Sequence, residues 1–228
     1  MTNNSEIWVS SALTNGVLGN KLGIRAKYFG QDWEPPTHKV PPEPDGVFDN
    51  MQRQVRGEIL RREDLPEACY VFDEKRFKQC KDFFFLGGFA AVKGRLAEVL
   101  LDADLGAGKM VQIPVFEEDK VTELPGPYYV LNFVARDRMF LPVESRALET
   151  ILTMNEDGRD LWDTYSETDG DIAVAAAALD SGPDIWVDPR LKYEIFLSGS
   201  LVKAIRQAKI KGGYLRLRRC RIVEENPQ

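Results

Sequence analysis

The residues of this chain that could do chemistry are few, and their spacing suits it badly. Its 228 residues include one histidine, His38, and three cysteines, Cys69, Cys80 and Cys220. A Ser–His–Asp or Cys–His arrangement would have to use His38, which lies in a proline stretch beside no nucleophile elbow. No Cys-x-x-Cys pair exists, so zinc or haem has no His/Cys ligand set. Gly106-Ala107-Gly108-Lys109 has the composition of a phosphate loop. A P-loop requires Gly five residues before Gly108 and Ser or Thr after the lysine, where Ala103 and Met110 stand. These glycines also follow a helical pattern instead of preceding one, so they read as a helix stop.

Carboxylates are the one abundant reactive type. From Asn155 to Asp171 the chain carries seven acids (Glu156, Asp157, Asp160, Asp163, Glu167, Asp169 and Asp171) against Arg159 alone, and the whole chain has a net charge of −6. The rest of the sequence is therefore neutral. An EF-hand loop wants Gly at position 6 and Glu at position 12. Gly158 in that role puts Thr164 at position 12, and Gly170 puts Ala176 there, so both registers fail. No metal and no cofactor is expected. Paired carboxylates leave acid–base chemistry open, and a carboxylate-dependent hydrolase or transferase of small molecules is one alternative reading. Four arginines, Arg216, Arg218, Arg219 and Arg221, close the chain. They suit either phosphate contact or a charged edge strand facing the acidic segment, and the net negative charge favours the second. Direct nucleic-acid binding is not expected.

The elements around these residues read as an α+β fold: a mixed β-sheet with packed amphipathic helices. Leu201, Ala204, Ile205 and Ala208 stand at i, i+3, i+4 and i+7, one face of a helix over about 199–209. Leu96, Val99, Leu100 and Ala103 do the same over about 94–104. Ser198 or Ser200 can cap the second helix, and Gly106–Gly108 and Gly212–Gly213 stop the two. The second unit aligns with the first at a shift of 105 positions without a gap, Gly199 on Gly94, Leu201 on Leu96, Ala208 on Ala103 and Gly213 on Gly108. This is a degenerate internal repeat of a helix–strand unit.

Strands are expected at Ile7–Val9, Cys69–Phe72, Val111–Phe116, Met139–Val143 and, centrally, Tyr128–Val134. A charged helix is expected within Asp49–Arg62, a helical turn at Asp73–Gln79 and a helix from Ser145 to Met154. Ile172–Leu179 reads as a buried strand or a short helix. In the last strand the apolar alternation slips from Leu215/Leu217 to Cys220/Ile222, which predicts a β-bulge near Arg218–Arg219. Residues 1–75 read as an N-terminal extension or small lobe. Their proline-rich stretch at 35–44 holds Pro35, Pro36, Pro41, Pro42 and Pro44, and reads as a stiff connector. Residues 76–228 form the main domain, with an acidic insert at 155–171. The start is polar, and no apolar run approaches the roughly 18 residues needed to cross a bilayer. No membrane association is expected, and cysteines without a pairing framework fit a reducing cytoplasm.

The pattern Asp82-Phe83-Phe84, Leu96, Val99-Leu100, Leu105-Gly106, Ile113-Pro114-Val115, Leu124-Pro125-Gly126 and Tyr129-Val130-Leu131-Asn132 resembles the eleventh family of bacterial polymorphic-toxin immunity proteins. The end, with Ile195-Phe196-Leu197-Ser198, Leu201, Ala204-Ile205, Gly212 and Cys220-Arg221-Ile222-Val223, is similar to that family's C-terminal signature. The resemblance covers residues 80–223 and brings no catalytic residues. It implies a cytoplasmic, non-enzymatic protein that binds and neutralises a cognate toxin used in interbacterial competition. On that reading Asp157, Asp160, Trp162, Asp163, Tyr165, Glu167, Asp169 and Asp171 form a toxin-binding surface for a basic toxin domain, with Trp162 and Tyr165 as aromatic anchors. The plainer readings are a solvated acidic loop, and an interaction module for a partner other than a toxin.

Overall fold

The structure, a computed structural model, describes residues 5–16, 18, 23–39, 42–152 and 160–224. Two four-stranded antiparallel sheets organise it. The first contains β4 (Phe83–Leu86), β5 (Phe89–Lys93), β8 (Tyr128–Asn132) and β6 (Lys109–Gln112), in that spatial order. The second contains β12 (Ile185–Trp186), β13 (Ile195–Ser198), β1 (Ile7–Ser10) and β14 (Leu217–Arg219). In each, the second strand runs directly into a helix: β5 into α3 (Gly94–Leu101) and β13 into α4 (Gly199–Gln207). In each, the strand after the helix lands at the far edge, and the place between is filled by a strand from elsewhere in the chain, β8 or β1. Both helices start where the spacing puts them and end early, α3 at Leu101 and α4 at Gln207, ahead of the glycines expected to stop them.

Strand alternation assigns every side chain of these sheets to a layer. From β4 and β5, Phe83, Ala90 and Val92 face a central core, while Phe84, Leu86, Phe89 and Ala91 face a second core behind the sheet. From β1 and β13, Trp8, Ile195 and Leu197 face the same central core, while Ile7, Val9 and Phe196 face a third. The central core is completed by Leu96, Ala97 and Leu100 of α3 and Leu201, Val202 and Ile205 of α4. Strands β4, β5, β8, β1 and β13 are thus buried on both faces, which is why they read as near-continuous apolar runs, unlike the edge strands β6 and β14.

The helix ends are tied together through one carboxylate. Asp184 Oδ1 accepts from the Ser198 and Ser200 hydroxyls, the latter at 3.0 Å, and Oδ2 accepts from the Asp104 N–H at 2.9 Å. Ser198 Oγ in turn caps α4, accepting from the Leu201 N–H at 3.1 Å.

The second core is roofed by a sheet of β2 (Ile24–Lys27), β3 (Ala68–Val71) and β7 (Val115–Phe116), with β3–β7 parallel. Helices α1 (Val47–Val55) and α2 (Glu74–Phe77) close it. Two buried amides pin the α1 region to the first sheet. Gln54 accepts from the Ala90 N–H at 2.9 Å and donates to Leu131 O at 2.6 Å. Asn132 accepts from the Leu60 N–H at 3.0 Å and donates to Leu60 O at 2.8 Å. Between them Gly57 turns at φ +78°, where a Cβ would sit 2.5 Å from the Ala135 nitrogen. The chain must be glycine there. Arg25 donates to the carbonyls of Thr37 and of Lys39, the latter at 2.9 Å, and ties this part of the proline stretch to β2.

Several expectations are corrected. The Val111–Phe116 run is two strands. It leaves β8 after Gln112 and joins β3 at Val115, with Ile113-Pro114 as the crossing. The expected helix at 145–154 is instead β9 (Leu148–Leu152), paired antiparallel with β10 (Leu161–Thr164). Hairpin pairing overrides a weak helical propensity there. Met139–Val143 forms no strand and makes a single bridge, Phe140 to Val174. Ile172–Leu179 is both alternatives in turn: β11 (Ala173–Ala175), then a 3₁₀ turn over Ala176–Leu179. The alternation slip near Arg218–Arg219 is a change of sheet and not a bulge. At Cys220, whose N–H bonds Ile7 O at 2.8 Å, the chain leaves β1 and continues as β15 (Arg221–Val223), parallel to β11.

Asn132→Ala leaves both Leu60 backbone groups buried without partners. It should cost about 2–4 kcal/mol and lower the urea midpoint at unchanged slope. A midpoint equal to wild type would show that this amide does not pin the segment.

Candidate functional site

The acidic segment begins outside the described residues, which is where Asp157 lies, and continues into β10. The hairpin it forms has two unlike faces. Trp162 and Leu148 pack on the third core beside Leu191, and the Trp162 backbone bonds Arg190 O at 2.8 Å and the Lys192 N–H at 2.9 Å. Trp162 is therefore turned inward. Asp163 stands opposite Glu149 across the ladder, two like charges on the outer face. Asp160 is exposed, as is Glu167, and the Tyr165 ring is 69 % exposed.

The last two acids work on the local turn. Asp171 accepts from the Thr168 hydroxyl at 2.7 Å and the Ser166 hydroxyl at 3.1 Å, and these bonds, Thr168 foremost, hold its carboxyl below the usual carboxylate range. Asp169 accepts from the Arg219 N–H at 2.7 Å, and the Gly170 N–H donates to Arg219 O at 2.8 Å. Asp160, Tyr165 and Glu167 are thus exposed, Asp163 is half-buried and accepts from the Thr164 N–H at 2.8 Å, Asp169 holds a backbone N–H and Asp171 two hydroxyls.

The C-terminal arginines meet this segment directly. Arg218 is almost buried. It donates to Ser166 O and, at 3.2 Å, to Glu194, whose side chain is 3 % exposed. Burial pushes the Glu194 carboxyl up to about 8 against the opposing pull of Arg218, and Asp163 adds to the rise. Arg219 pairs with Glu6 at 3.3 Å and Arg221 with Glu144 at 3.8 Å. Among the described residues Arg216 is in no ion pair. It is exposed and sits in left-handed backbone at φ 49°. Between the Arg216–Arg218 stretch and the Thr164–Glu167 stretch lies a cleft of about 560 Å³, floored by the Arg218–Ser166 bond. The sequence signal for this wall is the arginine run itself, which reads as a plain edge strand until the fold places it beside the acids.

Side chains suited to covalent chemistry are placed elsewhere and are subdued. His38 is exposed, tilted against Phe72 at 5.6 Å between ring centroids. All three thiols are buried. Burial holds Cys69 and Cys220 well above the usual thiol range and Cys80 up to about 12, so none carries a thiolate at neutral pH. Asp188 is fully buried and engaged by Arg190 at 2.9 Å and by the Phe140 N–H at 2.9 Å. No group of three or more His, Cys, Asp or Glu side chains among the described residues could hold a metal ion. No helix among them is long and apolar enough to cross a membrane. Around the cleft the described side chains offer charge, hydroxyls and the exposed Tyr165 ring.

Glu194 supplies a pH test. Its carboxyl is raised by folding, so its contribution to stability is full below the unfolded value of 4.5 and is lost as pH rises through about 8. Glu194→Gln should flatten the fall in urea midpoint between about pH 5 and about pH 8. An unchanged slope would show that this carboxyl stays ionised throughout.

No curated protein matches the chain. A family model does, over residues 25–217, and its span begins well before the motifs legible by eye at residue 80. That span takes in β2, α1 and β3 of the N-terminal third as well as both helix units. With most of its length matched, the chain belongs to the Imm11 immunity protein family.

Proposed function

We propose that this protein neutralises a cognate toxin by binding it without catalysis, in the cytoplasm of a bacterium carrying a polymorphic toxin system. Membership of an immunity family is the observation that carries the reading. The toxin-facing surface is the outer side of the β9–β10 hairpin and its exit, with Asp160, Asp163, Tyr165 and Glu167. An exposed aromatic ring within a charged rim is a common hot-spot composition, and acids of one sign steer a basic partner. Asp157 belongs to the same surface by sequence. Trp162 supports it from beneath, and Asp169 and Asp171 shape its turn. We also infer that the two helix–strand units are copies of one ancestor; the shared strand order around α3 and α4 supports this.

The direct test is co-expression with the protein encoded by the neighbouring gene. That neighbour should kill alone, and the pair should survive as a stable complex. Asp160→Lys with Glu167→Lys should weaken the complex about tenfold or more, mainly through slower association and most at low salt. A toxic neighbour that this chain neither binds nor neutralises would overturn the reading. Full affinity in the double variant would move the interface elsewhere.

A further inference from the structure

The cleft beside the hairpin contains an open strand edge. In β14 the backbone alternates between β1 and the opposite side. Arg219 faces away from β1, since its N–H goes to Asp169 and its carbonyl receives the Gly170 N–H. Cys220 faces β1, its N–H bonding Ile7 O. Two residues before Arg219, Leu217 must therefore also face away from β1, into the cleft, and no bond among the described residues occupies its N–H or carbonyl. The facing wall is no ladder partner: the Tyr165 N–H is spent on Ala147 O at 3.1 Å and Ser166 O on Arg218. Such an open backbone pair is a template for another strand.

The side chains around it select by charge. Arg216, exposed and without an ion pair among the described residues, stands next to the open edge. Glu167 stands on the other wall, and the Tyr165 ring is at the rim. A volume of about 560 Å³ accommodates a short extended segment and not a folded element.

We propose that this cleft takes an extended segment of the toxin, which adds a short strand to β14. The segment's backbone bonds the Leu217 N–H and carbonyl, and a carboxylate side chain on it pairs with Arg216. This rests on the toxin-binding reading above and adds a recognition mode to it: main-chain bonds supply affinity and the Arg216 contact supplies selectivity.

The test uses the full chain and the purified toxin encoded beside it. In hydrogen exchange, the Leu217 amide should exchange quickly in the free protein and become protected in the complex. Arg216→Glu and the cleft-filling Thr14→Trp, both at exposed positions, should each weaken binding about tenfold or more, and Arg216→Lys should restore most of it. Wild-type binding with an unprotected Leu217 amide and unaffected variants would overturn the strand slot and leave neutralisation standing. No binding by the folded wild-type chain would overturn both.

Discussion

The placement of β1 is the constraint on which the rest depends. Four residues near the N-terminus, Ile7–Ser10, fill the gap between β13 and β14, almost the whole chain away in sequence. Without them the second sheet splits, Trp8 leaves the central core, and Ile7 and Val9 leave the third. The same four residues fix which way β14 turns its backbone, and hence which of its groups face the cleft. Pairing across such a separation makes this sheet one of high contact order, which slows folding.

Charge is distributed to suit this frame. The acidic segment and the arginine run, far apart in sequence, are neighbours in space, and much of their charge is satisfied between them or locally. Arg218 spans from Glu194 to Ser166, Asp169 takes the Arg219 N–H, and Asp171 stabilises its own turn. Asp163 is half-buried and accepts from the Thr164 N–H at 2.8 Å, while Asp160, Glu149, Glu167 and Arg216 are exposed.

Much of the architecture was legible in the sequence because it is written in local periodicity. The α3 and α4 faces and the central position of β8 follow from spacing alone, but the helices end before the expected glycine stops, α4 with Lys209 in left-handed backbone. What was not legible depends on partners. Ile7–Val9 reads as a strand, but nothing local says that it lies in the middle of a sheet. The 145–154 stretch has ordinary helical propensity, and only pairing with Leu161–Thr164 makes it β9. The Cys220 slip signals a break in one face without saying that the chain has changed sheets. Tyr165 and Glu167 are exposed, as a polar acidic stretch leads one to expect. Trp162 is turned inward because its face of the ladder, which it shares with Leu148, packs on the third core, a placement invisible before the hairpin is known. Arg216 was missed as a site residue because a run of arginines does not reveal which member is in no ion pair among the described residues.

The central claim is that neutralisation is binding and not chemistry. Its most direct measurement is titration of toxin activity against this protein, followed by denaturing separation and refolding of the toxin. The account predicts that inhibition is complete only at equimolar protein and that the recovered toxin is fully active. Complete inactivation at a small fraction of an equivalent, with toxin that stays inactive after separation, would contradict it.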